Sequence, residues 1–296
     1  MGKAHLPGVE IPREFWPRDK QQGGALPRFL GQNPARMWAL SSHPNWLICW
    51  IIMPGPVGWV CLMGPTNLLS PNPKGKGSFF EPICSDIWSE GLDWIRQQNC
   101  PVVQFLKADN LSHCPSISLP DGFAPIAEFW DLRWQNQTSP PDAIPQGMRS
   151  WTRSEASDCC DIAVQSMAGS LDCPALAHFR SDAMAWESLI QIHGEKSPCW
   201  ILEWEKSPVG VLLGHLPGSG ISDFSPQGSI SYFGLIPAVR GQKMGCGFLS
   251  DFLAREVPKM GVMTTMVDAG NHPALGAYQK TGFEKIATSQ LFFFTP

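Results

Sequence analysis

Charge is scarce in this chain. Only 16% of its 296 residues are Asp, Glu, Lys or Arg, and they leave a formal net charge of −4 with a pI near 6.0. That balance excludes an extended nucleic-acid-binding face. The most basic cluster, Pro73-Lys74-Gly75-Lys76-Gly77, is too small to change it. No C-x-x-C pair occurs among the ten cysteines and no Cys/His spacing suits zinc, so no metal site is expected. The opening Met1-Gly2-Lys3-Ala4-His5-Leu6-Pro7 lacks the apolar run of a signal peptide, and Leu6 stands where N-myristoylation wants Ser or Thr. Free thiols in a reducing cytoplasm are therefore expected. An unbroken apolar span is missing as well. Trp46–Met63 is uncharged for 18 residues, but Pro54-Gly55-Pro56 interrupts it, which predicts a β-hairpin and no membrane crossing. Tyrosine occurs only as Tyr232 and Tyr278, against 13 tryptophans.

What is present is enough apolar residue (43%) for two cores, in a length that suits two domains of about 150 residues. The halves echo one another. Trp46–Trp50 followed by Pro56-Val57-Gly58 parallels Trp200–Trp204 followed by Pro208-Val209-Gly210. Val102–Asn110 parallels Thr264–Asn271, and Gly122-Phe123-Ala124-Pro125-Ile126-Ala127 parallels Gly282-Phe283-Glu284-Lys285-Ile286-Ala287. The spacing from Gly58 to Asn110 is shorter than from Gly210 to Asn271, and we place the missing length before the helix-like run Glu81–Gln98. We read 1–134 as one domain, the Pro/Ser/Asn/Gln-rich 135–145 as a linker and 146–296 as a second domain.

In the second half, periodicity predicts a strand at Met148–Arg153 and helices at Glu155–Ser170 and Pro174–His193, the latter with proline in its first turn. A hairpin follows at Trp200–Glu205 and Val209–Leu216, then a strand at Ile230–Ile236. Phe248, Leu249, Phe252, Leu253 and Val257 recur at helical spacing and form a buried stripe. Val262–Val267 is a strand, Pro273–Lys280 a helix, and Ile286–Phe294 a last strand or strand pair. Alternating strands and helices indicate an α/β (α+β) architecture.

Between the strand and the striped helix lies Pro237-Ala238-Val239-Arg240-Gly241-Gln242-Lys243-Met244-Gly245-Cys246-Gly247. A basic, glycine-rich turn at a helix start suits a pyrophosphate, because the backbone comes close and free N–H groups face the anion. Downstream comes Asn271-His272-Pro273-Ala274-Leu275-Gly276-Ala277-Tyr278. This order resembles the GNAT superfamily of acetyl-CoA-dependent N-acetyltransferases over roughly residues 148–296. The resemblance implies a mixed, mostly antiparallel sheet flanked by helices in each half, the first half lacking the phosphate turn and the tyrosine. The family's Arg/Gln-x-x-Gly-x-Gly/Ala pattern fits from Arg240, with Lys243 in place of the first glycine, or from Gln242. We favour Arg240, which keeps Pro237 three residues ahead and sets Phe248 and Leu249 where the helix makes its first core contacts.

By the same resemblance, Arg240, Gly241, Gln242, Lys243, Met244, Gly245, Cys246 and Gly247 would hold the phosphates of coenzyme A. Backbone groups of Leu235 and Ile236 would pair with the pantetheine arm, and Asn271 would bond cofactor or backbone. Tyr278 would protonate the leaving thiolate. An amine of pKa about 10.4 is neutral in only about one molecule in 2,500 at pH 7, so a base is needed; Glu203 and Asp268 are the candidates. The implied reaction is acetyl transfer to a primary amine on a small molecule or peptide. A non-catalytic acyl-CoA-binding regulatory module is the alternative, and a monomer and a homodimer both stay open.

Overall fold

The computed structural model describes residues 37–43, 46–53, 57–63, 85–108, 119–135, 148–216, 227–257 and 261–296. Most of the linker and the stretch 64–84 lie outside the described residues. Among the described residues eleven strands form one continuous sheet, where the sequence predicts a sheet in each half. The first strands are β1 (Met37–His43), β2 (Trp46–Met53), β3 (Val57–Met63), β4 (Val102–Ala108) and β5 (Ala124–Gln135). Next are β6 (Met148–Glu155), β7 (Pro198–Trp204), β8 (Ser207–His215), β9 (Gln227–Leu235), β10 (Val262–Asp268) and β11 (Glu284–Phe294). Their order is β1-β2-β3-β4-β11-β5-β10-β9-β8-β7-β6. Among the described residues the helices are α1 (Ser85–Gln97), α2 (Cys160–Met167), α3 (Asp182–His193), α4 (Met244–Glu256) and α5 (His272–Lys280).

The uncharged run 46–63 is the antiparallel hairpin β2–β3, in register from Leu47↔Met63 to Met53↔Val57. Among the described residues no helix is long and apolar enough to cross a membrane. Pleating turns alternate residues of β7 and β8 to opposite faces. Trp200, Leu202 and Leu212 pack with Phe248, Phe252 and Leu253 of α4, with Trp200 edge-on to Phe252 at 4.9 Å. Cys199, Val211 and Leu213 pack on the other face with Ala163 of α2 and Trp186 of α3. Each such fully buried large side chain contributes about 1.5–3 kcal/mol. The expected helix 174–193 is divided instead. A 3-10 turn covers Pro174–His178, and Ser181 caps α3 by accepting the Met184 N–H. The Ser181-Asp182 start signal outweighs the proline signal eight residues earlier.

A pseudo-twofold axis runs through the sheet centre. β4 pairs β11 with Ala108 opposite Ser289, and β10 pairs β5 with Asp268 opposite Phe129. Between them β5 and β11 pair with Phe129 opposite Ser289, and the register shifts twice, at Ile126 and at Ile286. These bulges fall on matching positions of the Gly-Phe-x-x-Ile-Ala echo. Gly122 and Gly282, at φ +97° and +91°, make the turns ahead of them.

The first block of the echo is corrected by the pairing. β3 runs parallel to β4 with Gly58 opposite Val103, as β9 runs parallel to β10 with Gly228 opposite Met263. Hairpin β2–β3 thus corresponds to β8–β9, one hairpin later than the Trp-x-x-x-Trp match suggests. Successive hairpins of a meander share one apolar pattern, so that match has little register information. The interval from Gly58 to Val103 is 45 residues and from Gly228 to Met263 is 35, so the shortfall does not lie before α1.

Candidate active site

β9 and β10 are parallel, and such a pair has no hairpin to hold both ends together. Their ladder covers only Gln227–Ser229 against Val262–Thr264. Thr264 Oγ1 and Thr265 Oγ1 then donate to the carbonyls of Gly228 and Ile230, each at 3.1 Å. Past these bridges the strands part, and a cavity of about 570 Å3 opens between them. It passes through the sheet. Ser166, Gly169 and Asp172, from α2 and the loop after it, line one side, and Gly245 of α4 with Ala274 and Tyr278 of α5 line the other.

At the far end of β9 the chain makes a 3-10 turn at Pro237–Val239, then Gly241 at φ +77° and Lys243 at φ +62°, before α4 begins at Met244. Lys243 is the glycine position of the Arg240 register. The first N–H groups of a helix have no intrahelical acceptor, and no side chain caps α4. Residues Lys243 to Cys246 line the cavity, so these donors belong to its wall. A Cβ at Gly241 or Gly276 would meet nothing within 4 Å, which leaves room against the wall. Free N–H groups, Lys243, Lys280 and open backbone form a cradle whose donors fit a pyrophosphate.

Arg240 is placed differently from a phosphate ligand. Its Nε donates to the Leu235 carbonyl at 2.9 Å, one terminal nitrogen to Ser166 at 2.8 Å and the other to Gly169 at 3.2 Å. The guanidinium ties the turn to the end of α2. Gln242 is exposed, donates to the Ala238 carbonyl, and with Gly247 stands outside the cavity wall. Ile236 is also outside it, because its N–H is spent on the Val209 carbonyl at 2.9 Å. Alternation along the strand then turns the backbone of Leu235 and Phe233 toward the cleft.

Tyr278 is 4% exposed, with its ring edge-on to Phe233 and Phe283, and it lines the cavity. Burial pushes its phenol well above the usual range, partly offset by a hydrogen bond to Thr265. Asn271 caps α5, its Oδ1 accepting the Ala274 N–H at 3.3 Å, and it lines the cavity too.

Neither candidate base reaches the cavity. Glu203 is half-buried on β7, opposite Arg149 and Pro208. Asp268 is 6% exposed, and its oxygens accept the N–H groups of Cys173 at 2.9 Å and Gly270 at 2.8 Å. A carboxylate holding two backbone donors at a strand end is a structural clamp.

Two residues not picked out in the sequence are brought in by the tertiary fold. Tyr232 lies 2.9 Å from Ser166 Oγ, hydroxyl to hydroxyl, and burial pushes it up to about 12. A Cβ at Gly234 would run into that pair. Asp172 is the one carboxylate among the described cavity-lining residues. It is open to the cavity yet ringed by protein, and this desolvation pushes its carboxyl above the usual range. Neither position has a local motif to announce it.

Neither a family sequence model nor a curated protein sequence matches the chain. Solved structures match it in fold. A tandem GNAT protein from the clavulanic acid biosynthesis pathway, solved without AcCoA, has a TM-score of 0.53 at 13% identity over 85% of this chain and 79% of its own. A GCN5-related N-acetyltransferase from Kribbella flavida gives 0.52 at 11% identity, over 92% and 96%. One from Sphaerobacter thermophilus gives 0.50 at 14% identity, over 86% and 82%. The likeness at these identities is one of fold, and it extends across both halves of the chain.

Proposed function

We propose that this chain, whose fold is that of the GCN5-related N-acetyltransferases, transfers an acetyl group from acetyl-CoA to a primary amine. The observation that carries this reading is the cleft through the sheet where β9 and β10 part, with unpaired helix-start N–H groups in its wall and a buried tyrosine inside. Walls contributed from both faces of the sheet give two reactants separate sides of one cleft. Backbone N–H groups of Gly241 and of Lys243 to Cys246, with the Lys243 and Lys280 side chains, hold the pyrophosphate of coenzyme A. The Leu235 N–H, facing the cleft, receives the amide-bearing arm. The bound thioester supplies an activated acyl group with a thiolate leaving group. The raised phenol of Tyr278 stays protonated at neutral pH, as a donor to that sulfur must. Arg240 and Asp268 act beneath these groups, fixing the ends of β9 and β10.

Calorimetric titration with acetyl-CoA tests the reading, together with CoA release in the presence of amines. We expect micromolar binding and amine-dependent release. Tyr278→Phe should keep the affinity and lower kcat by about 10²–10⁴. Binding without release in any amine would leave the non-catalytic acyl-CoA-binding module, and no binding would sink both.

A further inference from the structure

We propose that Asp172 receives the charged amine of the acceptor, which gives one proton to water before the neutral amine attacks, and that this amine is carried on an apolar stem seated between Leu171 and Met266. The inference rests on the transfer reading and names its second substrate. Ligand pockets are lined mostly by apolar side chains, with a few polar groups that fix orientation. Leu171 is 47% exposed and Met266 39%, and both line the cavity. Along β10, Met263 and Val267 join the core on the α4/α5 side. Met266 therefore points to the opposite face, where the loop after α2 brings Leu171 and Asp172. The cavity is thus divided by chemistry. Its α4/α5 side has Lys243, Lys280 and free N–H donors, and its α2 side has the carboxylate and two apolar walls.

The carboxylate is held in place. The Arg240 guanidinium fixes Ser166 and Gly169, and the Asp172 N–H donates to Ser170 Oγ at 3.1 Å. Cys173 follows in the left-handed region at φ +45°, an unfavourable conformation for a residue with a side chain, held by its N–H to Asp268. One Asp172 oxygen accepts the Asp268 N–H at 3.3 Å, and no bond to the other is present among the described residues. Asp268 and Arg180 are the charged groups nearby, and Arg180 makes no ion pair with Asp172 within 4 Å among the described residues. A carboxylate in this setting gains from a cation that brings its own hydrogen-bond donors.

The test uses the full chain with four probes: hexylamine, 2-phenylethylamine, glucosamine and putrescine. We expect kcat/KM for the two apolar monoamines at least about tenfold above that for the other two. Asp172→Asn keeps an oxygen for the Asp268 N–H, so it removes charge and leaves the loop bonded. It should raise KM for hexylamine about tenfold or more, with acetyl-CoA affinity unchanged. Leu171→Ser, at an exposed position, should flatten the preference for the apolar probes. Normal acetyl-CoA binding with preference for glucosamine or putrescine, or an unchanged hexylamine KM in Asp172→Asn, would overturn this inference and leave the transfer reading standing. Loss of acetyl-CoA binding in the wild type would overturn both.

Discussion

Lys243 shows how one residue can depart from a pattern and keep its shape. A side chain in the left-handed region costs about 1–2 kcal/mol relative to glycine, before glycine's greater freedom in the unfolded chain is subtracted. Lys243→Gly should therefore be more stable than Lys243→Ala by about 1 kcal/mol, read from denaturant midpoints of the two variants, with the charge lost in both. Equal stabilities would mean that the turn relaxes away from φ +62°. His193 makes a second residue-scale prediction. Its Nδ1 lies 2.7 Å from His215 Nε2, and burial, then the neighbouring ring, lower its pKa to about 4. The unfolded chain, near 6.5, binds the proton first on acidification. Stability from this group is thus full above about pH 6.5 and is lost as pH falls toward 4, by at most about 3 kcal/mol. His193→Gln should flatten that part of the stability–pH curve. The sequence places His193 at a helix end but does not show His215 beside it, because 22 residues and a strand pair separate them.

The strand ends, rather than the strands, shape the candidate site. The β9–β10 ladder stops after three residue pairs, and Arg240 then holds β9, the turn and α2 in one arrangement. Arg240→Ala removes three hydrogen bonds to carbonyls and should cost about 2–3 kcal/mol. Acetyl-CoA affinity should fall with it, since the donors at the start of α4 lose their fixed direction. Arg240→Lys should restore little, because an ammonium cannot serve three carbonyls as a planar fork does. Thermal melts and calorimetry of the two variants decide this, and full rescue by lysine would refute the clamp. At this scale the glycine-rich turn, the striped helix and the Asn-x-x-Ala-x-x-x-Tyr helix were legible, because each is a local pattern. The roles of Arg240 and Asp268 were not, since the carbonyl at 166 and the N–H at 173 that they bind lie about 70 to 100 residues away.

The two halves are interlocked through the sheet. β11, last in the chain, lies between β4 and β5, and β5 in turn covers the edge of β10. Cys173 and Phe179 from the second half also pack with Val57, Val102, Phe129 and Phe293. Residues 146–296 expressed alone would leave β11 without either neighbour and β10 with an open edge. We expect that fragment to show no cooperative unfolding and to aggregate, as exposed strand edges do. The full chain should melt in a single transition. A fragment that folds and binds acetyl-CoA would refute this coupling.

The local order of the chain was set by its sequence. The apolar run 46–63, broken by Pro54-Gly55-Pro56, dictated a hairpin, the apolar stripe after Gly247 dictated an amphipathic helix, and the Gly-Phe-x-x-Ile-Ala echo marked two equivalent strands. Such features depend on residues a few positions apart, where backbone geometry is nearly all that decides. Tertiary structure alone decided that β5 and β11 pair across the centre and that the repeat is offset by one hairpin. It also decided that Asp172, rather than Glu203 or Asp268, opens into the cleft. Those outcomes depend on which surfaces meet across the sheet, and hydrophobic alternation is the same for every strand that could have filled each place.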